Sequence, residues 1–74
     1  MIVEATANYF CSAGDKTLFT GATHARINII FPLKEHEIED SLNQCVKTKI
    51  ASQFAVSERQ VMVFALDAIQ YKES

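Results

Sequence analysis

Four residues of this sequence carry side chains that bind metals or act as nucleophiles: Cys11, His24, His36 and Cys45. A zinc site needs four converging ligands, or three and a water, and these usually come as close pairs in the sequence. The closest cysteine–histidine pair, His36 and Cys45, is nine residues apart. The polar–apolar alternation also places Cys11 and His24 on opposite faces of the predicted sheet. We therefore expect no bound metal and no other cofactor.

Catalysis by a nucleophile needs a thiol or hydroxyl beside a histidine, with a third group to orient it. Cys11 and Cys45 both fall at apolar positions, where cysteine behaves as a small hydrophobic residue. Four carboxylates occur together, but they lie at the predicted start of a helix, where the helix dipole favours negative charge: Glu35, Glu37, Glu39 and Asp40. A hydrolytic carboxylate pair also needs a cleft. The sequence therefore predicts a protein that is not an enzyme.

The size and charge of the chain limit its partners. Its 74 residues, at 8.3 kDa, suffice for one domain, and seven basic against nine acidic residues give a net charge of −2. Nucleic-acid modules concentrate positive charge, so nucleic acid is an unlikely partner on this count. The alternative is a small sheet that binds single strands through Phe10, Phe19 and Arg26, although Glu4 on the same surface opposes phosphate.

Nothing in the sequence resembles a targeting or membrane segment. The first ten residues lack a basic start and a long apolar stretch, and the longest apolar run, residues 61–66, is too short to cross a bilayer. A disulfide scaffold of this size would usually carry four or more cysteines, whereas this chain has two. We expect a cytoplasmic protein with reduced thiols and no membrane contact.

Alternating residues predict two strands in the first half of the chain. Residues 2–11 form the first strand, with odd-numbered residues from Val3 to Cys11 on its buried face. Residues 17–31 form the second strand, interrupted near Gly21, and Pro32 ends it. His24 and Arg26 lie on its solvent face. Two readings of residues 12–21 remain open, a bulged hairpin and a long loop.

The second half predicts a helix over residues 34–55 and a third strand over residues 60–70. Apolar residues cover about half of the helix, among them Ile38, Leu42, Val46 and Ile50. The fold class is α+β, a single domain over residues 1–74 in the order β-β-α-β. We expect a three-stranded mixed sheet with the helix packed on one face, and the order 2-1-3 if the first strand lies centrally.

The third strand is apolar on both faces, although one helix covers only one face of a sheet. If Val61, Val63 and Ala65 pack on the helix, the uncovered face carries three large apolar side chains: Met62, Phe64 and Leu66. Such a patch is unusual in a monomer. Either a partner covers it, or residues 12–21 fold across it with Leu18 and Phe19. The third strand also has few charges to prevent pairing with a partner's sheet.

These features predict a small non-catalytic protein-binding module. We expect an adaptor or inhibitor, of the kind that phages and mobile elements encode, that occupies a partner protein through Met62, Phe64 and Leu66. A secondary surface comprises His24 and Arg26 on the sheet together with the acidic helix start, Glu35, Glu37, Glu39 and Asp40. The alternatives are a single-strand nucleic-acid-binding protein and a homodimeric accessory protein.

Overall fold

The computed structural model describes residues 1–73. The elements follow in the order β1 (Ile2–Ala13), β2 (Lys16–Asn28), α1 (Glu35–Phe54), a single 3-10 turn (Glu58–Gln60) and β3 (Val61–Lys72). They form one sheet in the order β2-β1-β3, with α1 packed on one face. The α+β class and the β-β-α-β order are confirmed. Both pairings are antiparallel, so the sheet is not mixed: β1 separates β2 from β3.

β1 and β2 form a hairpin, so the reading of residues 12–21 as a long loop is wrong. The turn is two residues long and begins at Gly14, whose φ of 64° glycine adopts without steric cost. A bulge lies between Cys11 and Ser12. β2 ends at Asn28, three residues earlier than predicted. Ile29 still exchanges hydrogen bonds with Met1, and the chain then bends away at residues 30 and 31.

The sequence predicts an interruption of β2 near Gly21, and the structure shows that this prediction is wrong. Gly21 pairs with Tyr9 in a continuous ladder. The phenol ring of Tyr9 lies over the glycine. A Cβ atom at residue 21 would stand 2.6 Å from Tyr9 Oη and 2.8 Å from its Cζ. The glycine thus makes room for a buried aromatic ring, which in turn covers a strand position that has no side chain of its own.

The core lies between α1 and the inner face of the sheet. Four helix residues spaced four apart are buried there, Ile38, Leu42, Val46 and Ile50, and they meet the odd-numbered residues of β1. At the N-terminus of α1, Glu37 Oε1 accepts a hydrogen bond from Lys34 N at 3.0 Å. The helix ends at Ala55, whose φ of 55° is left-handed. No helix in the described residues has both the length and the apolar character needed to span a membrane.

A bulge in β3 changes which side chains face the helix. Val63 pairs with Tyr9 and Ala65 with Asn8, which leaves Phe64 as an extra residue. We call the sheet face away from α1 the open face. Beyond the bulge the alternation is reversed, so Ala65 lies on the open face and Leu66, opposite the buried Ala7, packs against the core. The prediction that Leu66 belongs to the uncovered patch, with Ala65 against the helix, is therefore wrong.

A second irregularity follows between Asp67 and Gln70, which pair with Thr6 and Glu4. Ala68 there has a φ of 53°, a left-handed conformation that is uncommon for alanine. Ile69 packs against the core, and the strand continues to Lys72, two residues beyond the predicted end. β3 is therefore divided into short regular segments by two bulges.

Candidate protein-binding surface

The open face carries an apolar cluster, which we call the sheet patch, formed by Phe10, Met62 and Phe64. Met62 pairs with Phe10 across the two strands. The ring centroids of Phe10 and Phe64 are 6.1 Å apart, with the ring planes tilted by 33°. Phe64 is 63% exposed and Met62 is 48% exposed. Two of the three residues predicted from the sequence thus lie together, and Phe10 takes the place of Leu66.

The hairpin does not cover the sheet patch. Phe19, expected in one reading to fold across it, lies on the opposite face of the sheet, with its ring 6.4 Å from Tyr9 and 4.7 Å from Phe54. Leu18 is exposed on β2. That reading is therefore wrong. Phe64 and Met62 keep much of their surface exposed among residues 1–73, so the patch is accessible to another molecule.

The opposite end of the open face is charged. Glu4 has three basic side chains around it: Lys72 Nζ at 2.8 Å, Arg26 Nε at 3.7 Å and His24 Nε2 at 3.8 Å. The hydrogen bond from Lys72 is the largest influence on the Glu4 carboxyl and lowers its pKa from the ordinary value of 4.5. Desolvation opposes that shift, and interactions with Lys72, His24 and Arg26 add to it. His24 and Arg26 therefore lie where the alternation placed them, but the carboxylate offsets much of their charge.

The acidic helix start lies in the other layer of the fold, so the structure separates it from the sheet patch, His24 and Arg26. All four of its carboxylates are exposed: Glu35, Glu37, Glu39 and Asp40. Glu37 caps the helix through Lys34 N. Glu39 lines a groove beside β3 together with Asn43. These residues thus have different surroundings and form no single site.

A second exposed apolar surface was not predicted. Between β2 and α1, Ile30 is 83% exposed and Phe31 is 61% exposed. They line a concave surface with Ile27, Leu33 and Ser41, among other residues. The signal was present in the sequence as five consecutive apolar residues at positions 29–33. The sequence predicts that part of this run is strand, whereas the structure has a bend at residues 30 and 31 that places their side chains in solvent.

The described residues bring no three His, Cys, Asp or Glu side chains together as metal ligands. Cys11 is buried, and Cys45 Sγ donates a weak hydrogen bond to the carbonyl oxygen of Arg26 at 3.7 Å. Comparison of the chain with models of protein families, with curated proteins and with solved structures gives no match. The surfaces of the chain itself therefore provide the basis for a proposed function.

Proposed function

We propose that this protein is a non-catalytic binding module that acts by occupying a partner protein through the sheet patch. The observation that carries the proposal is the pairing of Phe64, 63% exposed, with Phe10 and Met62 on an open sheet face. Fully burying a Phe or Met side chain is worth about 1.5–3 kcal/mol. Covering the exposed parts of Phe64 and Met62 thus supplies about 2–3 kcal/mol, which is typical of the centre of a binding surface.

The distribution of charge on the open face favours a foreign protein over a second copy. The sheet patch lies near one end of β1, and the cluster around Glu4 near the other. If two copies met face to face about a central two-fold axis that runs across the strands, the patch of each would lie on the charged cluster of its mate, and charges would be desolvated without being paired, which is costly. If the axis ran along the strands, the patches would meet, but each cluster, with Lys72 and Arg26 around a single Glu4, would lie on a cluster of the same charge. A partner with an apolar surface for Phe64 and acidic groups near Arg26 fits both ends.

A second candidate is single-stranded nucleic acid, because two neighbouring rings on an open sheet form a stacking platform for bases. The chain has a net charge of −2, and Glu4 lies among the cations that would meet phosphates. Both features weaken binding to a polyanion. Protein binding is the better supported of the two functions.

The test compares two variants that each add one negative charge to the open face. Phe64→Asp introduces the charge in the sheet patch, and Asn28→Asp introduces it at the far end of β2, where the residue is exposed. We expect the wild type and Asn28→Asp to capture the same protein from a lysate of the source cell. Phe64→Asp should lose that protein, or bind it at least tenfold more weakly, while its circular dichroism and melting temperature stay close to those of the wild type.

The oligomeric state is measured first, by light scattering at two concentrations tenfold apart. A dimer that Phe64→Asp dissociates would replace the foreign partner by a second copy and refute the present proposal. Capture that is equally strong with Phe64→Asp would place the binding surface elsewhere. Retention of single-stranded oligonucleotide at low salt, lost in Phe64→Asp, would favour the nucleic-acid function instead.

A further inference from the structure

The two outer edges of the sheet differ in how the helix protects them. On the β2 edge, Lys49 Nζ donates to the carbonyl oxygen of His24 at 3.3 Å, and Cys45 Sγ donates to that of Arg26 at 3.7 Å. These side chains occupy acceptors that an added strand would use. The β2 edge is therefore partly closed by α1, in keeping with the way sheet edges are usually guarded.

The β3 edge has no such protection in the part of the chain that the structure describes. No side chain of α1 hydrogen-bonds to the β3 backbone among residues 1–73. A groove of about 220 Å³ separates this edge from the helix. It is lined by residues 63–66 of β3 on one side and by Glu39 and Asn43 on the other. The edge of β3 at residues 63–66 therefore faces the polar helix residues Glu39 and Asn43 across an open channel.

The helix side of this groove is acidic. Asn43 lines the groove, but its Oδ1 atom is shielded from solvent and is not accessible to a molecule in the groove. Glu39 lies one helical turn before Asn43 and adds an exposed carboxylate, and Glu35 precedes Glu39 by another turn. Such a row of carboxylates is complementary to positive charge.

We propose that this groove binds a short extended segment of a partner protein that carries a lysine or arginine. The segment lies alongside residues 63–66 of β3 and places its cationic side chain against the Glu39 carboxylate. The bulge at Phe64 interrupts the regular edge, so the added strand is short. The inference rests on the proposed function insofar as one partner covers both the sheet patch and the groove.

A second copy of this chain does not fit the groove. If two β3 edges paired about a two-fold axis, the two helices would lie on the same face of the joined sheet. Each copy would then bring its own Glu35 and Glu39 toward those of the other. Like charges in such proximity oppose association. The groove therefore selects a basic segment of a different protein.

The probe for the test is a random seven-residue peptide library displayed on phage and selected on the immobilised full chain. We expect enriched peptides to carry Lys or Arg among β-branched residues. A synthetic peptide of the enriched sequence, titrated into ¹⁵N-labelled protein, should shift the amide signals of residues 63–66 and the side-chain amide of Asn43. Glu39→Lys should weaken its binding at least tenfold, and replacing the peptide's Lys or Arg by Glu should restore binding to that variant.

Asp40→Lys is the matched control, because it makes the same charge change at an exposed neighbour that does not line the groove. An equal loss of peptide binding in Asp40→Lys would reduce the effect to overall charge and refute the groove. So would a failure to enrich any peptide, or shifts confined to Phe10 and Met62 of the sheet patch. Shifts at residues 63–66 that depend on protein concentration without peptide would identify a second copy as the occupant and overturn the inference.

The groove and the sheet patch can fail separately. Met62→Asp separates them, because Met62 belongs to the sheet patch and does not line the groove. Peptide shifts at residues 63–66 that survive Met62→Asp, together with partner capture that ignores Met62→Asp, would leave the groove standing and refute the sheet patch. Capture that needs Met62 but tolerates Glu39→Lys, with no peptide shifts at the β3 edge, would give the opposite result.

Discussion

Three leucines test whether the bulge in β3 places its side chains as described. Leu42 is fully buried on α1, Leu66 is half-buried behind the bulge, and Leu18 is exposed on β2. Each is replaced by alanine, so the chemical change is the same at all three positions. A β3 of uninterrupted alternation would put Leu66 in solvent, where its replacement would cost as little as that of Leu18.

The expected losses of unfolding free energy follow from burial. Replacing a buried leucine by alanine costs about 3 kcal/mol or somewhat more, because both transfer energy and cavity energy are lost. Leu42 should fall at that value. Leu66 packs against the core but retains some exposure, so about 2 kcal/mol is expected. Leu18 should change stability by less than about 0.5 kcal/mol.

Urea unfolding followed by far-ultraviolet circular dichroism measures all three. For a domain of this size the dependence on urea is about 1 kcal/mol per molar, so a 2 kcal/mol loss moves the midpoint by about 2 M. The order of stability should be wild type and Leu18→Ala, then Leu66→Ala, then Leu42→Ala. A midpoint for Leu66→Ala that coincides with that of Leu18→Ala would refute the bulged register. The sheet patch as defined here would then be wrong as well.

Two further predictions concern β1 and its neighbours. Gly21→Ala should destabilise the protein by about 1–3 kcal/mol, because the new Cβ would stand 2.6 Å from Tyr9 Oη and the ring would have to move. A melting temperature equal to that of the wild type would show that the ring moves at no cost. Ala22→Ser, at the neighbouring residue, is the control. The folded-state pKa of Glu4 lies below 4.5 because of Lys72, His24 and Arg26, so its contribution to stability is complete above that pH and is lost as the pH falls through the folded pKa. Urea unfolding of Glu4→Gln should therefore depend less on pH than that of the wild type as the pH falls below 4.5, and parallel curves would contradict the assignment.

Much of the fold was predictable because hydrophobic spacing reflects the geometry of each element directly. The alternation from Val3 to Cys11 defined β1 and its buried face. The four-residue spacing from Ile38 to Ile50 defined the inner face of α1. The predicted helix, residues 34–55, differs from the observed one, Glu35–Phe54, by one residue at either end. Both signals are strong because each element presents one face to a single core. His24 and Arg26 were placed on the open face by the same alternation.

The bulges were not predictable, because the third strand is apolar on both sides. Alternation fixes a register only where one face is polar, and residues 61–66 offer no such contrast. An extra residue at position 64 moves Leu66 into the core without leaving a polar residue misplaced. Gly21 posed a related difficulty: a lone glycine in a strand indicates either a break or a close approach, and only the position of the Tyr9 ring distinguishes them.

The same bulge explains why Phe64 is exposed and why this edge is distinctive. Two consecutive side chains, Phe64 and Ala65, lie on the open face, and one of them is large and apolar. Bulges usually protect an edge by disturbing its regularity. Here the disturbance lies beside a groove to which Glu39 adds an exposed carboxylate. The bulge limits how many residues of an added strand this edge can pair with, and the carboxylate favours a segment that carries a positive charge. Together the two features match the short, basic segment that we propose.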